Sequence, residues 1–176
     1  MVNDMNLLIL GAGEYGRLVK ELARNQFIRI DFLDDNLSIA IGKLNEYINL
    51  KDKYQNAFVA IGNNEVRSKW IDRLEKSGYK MPIVISDRAF VSPSAIIESG
   101  CIIEPMAVIN SNAKIEKGSI ISSGSVVNHN AIVHKYCHID CNAVVGAGAV
   151  VPEKMHLNYG QVITRVTKPE NWEFSE

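Results

Sequence analysis

Long apolar runs, cysteine and net charge are all scarce in these 176 residues. No apolar stretch approaches the roughly 20 residues that a membrane-spanning helix needs. Met1 to Asn6 is a polar leader, with no basic segment followed by an apolar one, so no secretory signal is expected. Three cysteines are an odd count and too few for a disulfide framework, so a reduced, cytoplasmic protein is expected. A formal net charge of −1 offers no footing for nucleic acid or an anionic membrane. What the chain does have is ordinary for a globular protein. It is 47% hydrophobic, and its length suits one large or two small domains.

One feature is far from ordinary. Val91, Ile97, Ile103, Ile109, Ile115, Ile121, Val127, Val133, Ile139, Val145 and Val151 recur at every sixth position. Two positions before each stands a small residue: Ala89, Ala95, Cys101, Ala107, Ala113, Ser119, Ser125, Ala131, Cys137, Ala143 and Ala149. Cys101 and Cys137 act there as small hydrophobes, whereas Cys141 falls outside the slot. A period of six fits neither a helix nor an alternating strand. It fits a repeat coil of triangular section, one hexad to a side, with the aliphatic and small residues inward. Residues 89–152 then build between three and four coils. After Val151 the pattern decays, although Leu157 and Ile163 keep its phase.

Ahead of the repeats the chain alternates strand and helix. Leu7 to Leu10 is a strand, followed at once by Gly11-Ala12-Gly13-Glu14-Tyr15-Gly16 and a helix over residues 15–25. A Gly-x-Gly-x-x-Gly turn between strand and helix can present free backbone N–H groups to an anion. A second strand, Ile28 to Leu33, ends at Asp34-Asp35-Asn36, where an acid could accept from a ribose. Residues 39–50 read as mostly irregular. A third strand, Ala57 to Gly62, precedes a helix from Glu65 to Lys76 that Asn63-Asn64 can cap. Met81 to Ile85 reads as a fourth strand. The expected division is a Rossmann-like α/β domain at 1–84, a left-handed parallel β-helix at 85–165 and a polar tail at 166–176. The first unit is too short for both halves of a full dinucleotide fold.

The residue before each inward aliphatic should point outward. Phe90, Ile96, Ile102, Val108, Ile120, Val126, Ile132, Val144 and Val150 are apolar there, against only Lys114 and His138. So much outward apolar surface marks interfaces, and a prism packing on its own copies gives a homotrimer. His129 falls just past a coil corner. Ser111 and Ala147 stack on either side of it, and Gly146-Ala147-Gly148 keeps the next coil open beside it. A narrow groove there suits a pantetheine arm. His138 faces another side and could meet a neighbouring copy's His129.

The hexads, Phe32-Leu33-Asp34-Asp35-Asn36, Ala60-Ile61-Gly62-Asn63-Asn64, Phe90-Val91-Ser92-Pro93-Ser94-Ala95 and Val127-Asn128-His129 resemble the hexapeptide-repeat sugar O-/N-acyltransferases, of bacillosamine-pathway and sialic acid type. The resemblance implies acetyl-CoA as co-substrate and a nucleotide-sugar as acceptor. It implies His129 as general base beside Asn130, and direct transfer to a sugar amine. On the sugar side it implies Gly11, Gly13, Tyr15, Asp34, Asp35, Asn63, Ser122 and His138; on the CoA side, Gly146, Ala147 and Gly148. Three departures stand out. Asn130 replaces the usual carboxylate after the histidine. Tyr15 replaces the histidine of the usual opening loop. The usual closing Gly-x-Pro-Ala-Lys segment does not follow residue 151, so residues 152–170 stand where part of the CoA surface would be.

Two other classes compete on the residues. A hexapeptide zinc enzyme would want three histidines. His129 and His134 are five apart, but no histidine precedes residue 129, so no metal is expected. A sugar O-acetyltransferase or a non-catalytic nucleotide-sugar scaffold are the alternatives to an N-acetyltransferase.

Overall fold

The structure, a computed structural model, describes residues 5–165, so the polar tail expected at 166–176 lies outside the described residues. The first part of the chain is β1 (Asn6–Leu10), α1 (Glu14–Ala23), β2 (Arg29–Leu33), a 3-10 helix (Leu44–Leu50), β3 (Asn56–Val59) and α2 (Asn64–Lys76). The three strands form a parallel sheet in the order β2-β1-β3. The centre strand β1 is covered on both faces, and Leu7, Leu8, Ile9 and Leu10 are all fully buried. Alternation sends Leu8 and Leu10 toward Ile71 and Leu74 of α2. Leu7 and Ile9 go the other way, toward Val19 and Ala23 of α1. Asn63 caps α2, its Oδ1 accepting from Val66 N at 3.0 Å, as its residue type predicts. The stretch expected to be irregular contains the 3-10 helix, held at its start by Glu46 Oε1 accepting from Lys43 N at 3.0 Å.

The expected fourth strand belongs elsewhere. Val84 and Ile85 form β4, but they pair with Ile102 and Ile103 rather than with the small sheet. β4 is the first of a run of two-residue strands, one to each hexad, that ends at β17 (Val162–Ile163). The strands stack into three parallel sheets of five, five and four strands, a left-handed parallel β-helix. Each strand pairs with its counterparts one coil, or three hexads, before and after it, as Ile120 does with Ile102 and His138. The repeat does not stop at Val151. Leu157 and Ile163 keep pointing inward because backbone pairing to the coil beneath continues without the small-residue slot.

The inward stack from Ile103 to Val151 is fully buried. Each of its aliphatic side chains contributes about 1.5–3 kcal/mol of gross burial. Serines in the small slot are buried but bonded: Ser119 Oγ donates to His134 O at 3.1 Å, and Ser125 Oγ to Ser122 O at 2.7 Å. From Gly100 to Gly160, every sixth residue has positive φ, including Met106, Asn112, Asn130, Tyr136, Asn142 and Lys154. The left-handed corner is thus a fixed requirement of the coil, whichever residue occupies it.

The outward residues divide by face. The first face carries Val84, Ile102, Ile120, His138 and His156; the second Phe90, Val108, Val126, Val144 and Val162; the third Ile96, Lys114, Ile132 and Val150. Val84, Ile102 and Ile120 are buried in the same cluster as Leu7, Ile9 and Phe58, so the α/β unit covers the first face. The expectation that every outward apolar residue serves an intersubunit surface is therefore corrected for Ile102 and Ile120. The other two faces are left open: Phe90 is 55% exposed, Ile96 58% and Val162 62%.

Arg67 of α2 fastens the two units together. Its guanidinium is buried and donates to Ile61 O, Gly62 O and Asn64 Oδ1 on one side, and to Gly118 O, Tyr136 O and Cys137 O on the other. Burial pushes its pKa down to about 10, still charged at neutral pH. Carbonyl dipoles supply its compensation. Arg67→Ala should strand these acceptors in the interface and cost about 3 kcal/mol or more. Denaturant midpoints of both proteins at equal concentration measure this; a loss under about 1 kcal/mol, the net worth of a single ordinary hydrogen bond, would show that the bonds are not holding the units together.

Candidate active site

The glycine turn is built as its spacing predicts, with the three glycines in different roles. Gly11 has φ 103°, and a Cβ there would lie 2.7 Å from Ala60 O. A Cβ on Gly16 would lie 2.1 Å from Gly11 O, so this glycine lets α1 seat against the turn. Gly13 is the N-cap of α1 with an ordinary extended backbone and nothing within 4 Å of a Cβ. It is the glycine that faces open space.

Asp34 ties this turn to the end of β2. Its Oδ2 accepts from Ala12 N at 2.9 Å, and its Oδ1 from Asn36 N at 2.8 Å and Leu37 N at 3.1 Å. These N–H groups, Ala12's first, hold its carboxyl below the usual range. Asp35 Oδ1 accepts from Leu44 N at 3.1 Å. Both acids line a cleft of about 350 Å³ with Gly42, Lys43 and Glu46. Asn63 does not join it, being the helix cap.

His129 stands exposed at the corner between the second and third faces. Its backbone N–H donates to Asn128 Oδ1 at 2.8 Å, and its Nδ1 lies 3.2 Å from Asn130 Nδ2. Asn130 occupies the left-handed corner position, φ 57°, where Asn and Asp are the best tolerated side chains after Gly. Amide orientation decides the histidine tautomer. As placed, Asn130 Nδ2 donates to Nδ1 and the ring proton sits on Nε2; turning the amide over presents Oδ1 to Nδ1–H and frees the Nε2 lone pair to accept a proton. The coil contacts match the expected stacking: Asn130 N donates to Ser111 O and Gly148 N to His129 O, both at 3.0 Å.

Asn130 and Gly148 line a cleft of about 590 Å³ with Val150, Ile163, Thr164 and Arg165. Of the three residues expected on the CoA side, only Gly148 lines it. Gly146 is turned to the coil above, its N–H donating to Ile163 O at 2.8 Å, and Ala147 is exposed beside the cleft. The wall formed by Ile163, Thr164 and Arg165 is not among the expected site residues. The signal for it is the six-residue phase of Ile163, which carries the coil as far as Arg165.

Tyr15, Ser122 and His138 come together in a third pocket, of about 290 Å³, with Gly62, Glu104, Ile120, Asp140, Cys141 and Tyr159. It lies on the first face, where the α/β unit meets the coils. Ser122 Oγ lies 3.1 Å from His138 Nε2. Burial, and next the neighbouring His156, push the His138 pKa down to about 4, so its ring is neutral at physiological pH. Burial holds the Glu104 carboxyl above its ordinary range, against the N–H and hydroxyl of Ser123. The Tyr15 hydroxyl is buried without a partner among the described residues. Glu104, Asp140 and His156 escape the sequence reading, yet a step of one coil up or down from Ser122 and His138 finds all three.

His129 and His138 therefore occupy different sides of one chain, and the sequence-expected site is split in two. Within one copy the second face lies between the histidine corner and the Tyr15 pocket.

Comparison with known proteins agrees with both halves. Residues 6–74 match the family described as PglD N-terminal domain, and residues 94–129 match bacterial transferase hexapeptide (six repeats). The acetyltransferase domain of PglB from Neisseria gonorrhoeae FA1090 is 27% identical, with a TM-score of 0.78 over 92% of this chain and 89% of that one. The same domain solved with acetyl coenzyme A is likewise 27% identical, at TM-score 0.76. A variant of perosamine N-acetyltransferase from Caulobacter crescentus, with CoA and GDP-perosamine, superposes at TM-score 0.81 over 91% of this chain and 89% of that one; at 22% identity it speaks to fold alone. The chain thus joins a PglD-type α/β unit to bacterial transferase hexapeptide repeats, and over 92% of its length it is similar to an acetyltransferase domain solved with acetyl coenzyme A.

Proposed function

We propose that the protein transfers an acetyl group from acetyl-CoA to the amine of a nucleotide-linked amino sugar, with His129 as general base. The observation that carries this is the exposed His129–Asn130 pair at the rim of the Gly148–Arg165 cleft. The 27% identity to an acetyltransferase domain solved with acetyl coenzyme A supports it. In the step, the sugar amine attacks the thioester carbonyl as His129 Nε2 takes its proton. The carbon–nitrogen bond forms, the carbon–sulfur bond breaks, and the proton passes on to the departing CoA thiolate. A backbone N–H at the coil corner stabilises the oxyanion.

The nucleotide lies along the glycine turn, with Gly13 giving it close approach and the Asp34–Asp35 cleft beside it. The sugar reaches the Tyr15, Ser122 and His138 pocket. Because that pocket and His129 sit on different sides of one copy, the working unit is a homotrimer in which each site is completed by a neighbour. The open apolar second and third faces are its interfaces. Their apolar side chains, such as Phe90 at 55% exposure, are uncovered in a single copy, and contiguous apolar surface of this kind marks an interface.

His129→Ala should lower turnover of acetyl-CoA with a nucleotide-linked amino sugar by about 10²–10⁴ and leave acetyl-CoA affinity nearly unchanged. Asn130→Asp, tolerated at the same φ, should hold or raise the rate near neutral pH. Thiol-release kinetics decide, and survival of the wild-type rate within about threefold in His129→Ala rules the base out. Light scattering should return three copies, and Val126→Asp should shift the mass toward monomer by burying an unpaired charge; a wild-type monomer at micromolar concentration overturns the assembly. Finally, Gly13→Val should fold normally yet lose nucleotide-sugar binding in calorimetry. Unchanged binding would move the nucleotide elsewhere.

A further inference from the structure

The first face ends in a cluster that joins His138, placed above in the proposed sugar pocket, to Asp140 and His156, which the acetyl-transfer step does not use. His138 and Asp140 flank the inward Ile139, so both point outward on the same side. His156 lies directly in register with His138 on the next coil. The two imidazoles are stacked, ring centres 4.5 Å apart and planes within 1°. Asp140 Oδ2 lies 3.0 Å from His156 Nε2. One ligand atom from each of the three residues falls within 4.8 Å of the others.

We propose that His138, Asp140 and His156 bind one zinc-class divalent cation, with its open coordination position turned toward the Tyr15 hydroxyl. Two imidazoles and a carboxylate are a donor set that zinc and similar ions accept, and three protein ligands leave a position free for a small molecule. Metal–nitrogen bonds of about 2.05 Å at tetrahedral angles put ligand atoms about 3.3 Å apart. The cluster therefore has to contract by roughly 1–1.5 Å, given ligand atoms up to 4.8 Å apart. Its parts are suited to that. Asp140 is buried, and its other oxygen, Oδ1, is pinned by Cys141 N at 2.8 Å. His156 has to rotate out of its stack on His138 to aim a ring nitrogen at the same ion, which its 47% exposed side chain has room to do while staying beside Asp140.

Two further observations point to an occupant. The Tyr15 hydroxyl, wholly buried in the same pocket, has no hydrogen-bond partner among the described residues. A buried polar group without a partner is rare, and water or ligand held on a cation would supply one. Glu104 joins Asp140 in the lining, two carboxyls set against the positive charge of the buried Arg67 that reaches His138 and Tyr15. The sequence expectation of no metal rests on His129 and His134 alone. His134 is engaged on the third face instead, its Nδ1 3.1 Å from Glu116 Oε2.

Zinc binding is measured without any turnover, so its outcome is separate from that of the acetyl-transfer proposal. Tag-free full-length protein, stripped with chelator, is titrated with zinc against a chromophoric competitor. The expected result is one zinc per chain with Kd below about 1 µM, weakened at least about tenfold by His156→Gln and by Asp140→Asn. His134→Gln should bind as wild type does. His156 is exposed, so its variant should fold, and thermal unfolding of the metal-free variants checks this. Wild-type binding weaker than about 1 µM, or variants that bind within tenfold of wild type, would overturn the site.

Discussion

Each coil hydrogen-bonds to the next at a constant offset of three hexads, as Ile102, Ile120 and His138 do in turn. This in-register stacking sets every side chain's neighbours. It lines the inward aliphatics into one column, and it places outward residues in vertical rows. A row can be apolar, as Val108, Val126 and Val144 are, or chemically dense, as Glu104, Ser122 and Asp140 are. Because backbone pairing is satisfied by the coils themselves, the outward rows away from the α/β contact are free of that duty. They are where this fold can place chemistry.

The α/β unit occupies one of the three faces. Its central strand is buried on both sides, and one side continues without a break into Val84, Ile102 and Ile120 of the coil. Arg67 fixes that contact on the coil side through carbonyls alone, so the docking is directional rather than merely apolar. The geometry of the Tyr15 pocket follows from it. A residue of the first turn of α1 meets residues of successive coils only because the two units share one core.

Much of this is legible in the sequence, for a physical reason. An unbroken six-residue period of branched aliphatics, each with a small residue two places before it, matches neither helix nor flat strand and leaves the triangular coil. Coil-corner contacts around His129 follow from arithmetic on that period. What is not legible depends on the α/β unit, which has no period. The strand at Val84–Ile85 reads as a continuation of the preceding strand–helix alternation, whereas its pairing partner is Ile102–Ile103, one coil ahead. Burial of Ile102 and Ile120 cannot be told from that of Val108 and Val126, because all four are the same kind of residue in the same phase. At the candidate site, type and phase are enough to find His129 and His138. Asp140 emerges when the coil-to-coil step is taken from Ser122, and His156 only when it is carried from His138 past Val151. Asn130 shows the limit of assigning one role to one residue: it sits beside the histidine and also satisfies the left-handed corner.

The corner repeated at every sixth position makes this architecture quantised in length. Removing or adding a single hexad preserves every corner but rotates all that follows by one face, so the row now over the α/β unit would turn to solvent. Only a step of three hexads returns each row to its own side. Evolution along such a chain is therefore constrained like a thread on a screw. Whole turns can be gained or lost at the ends while faces keep their identity, whereas shorter changes must be taken up as loops bulging from a corner.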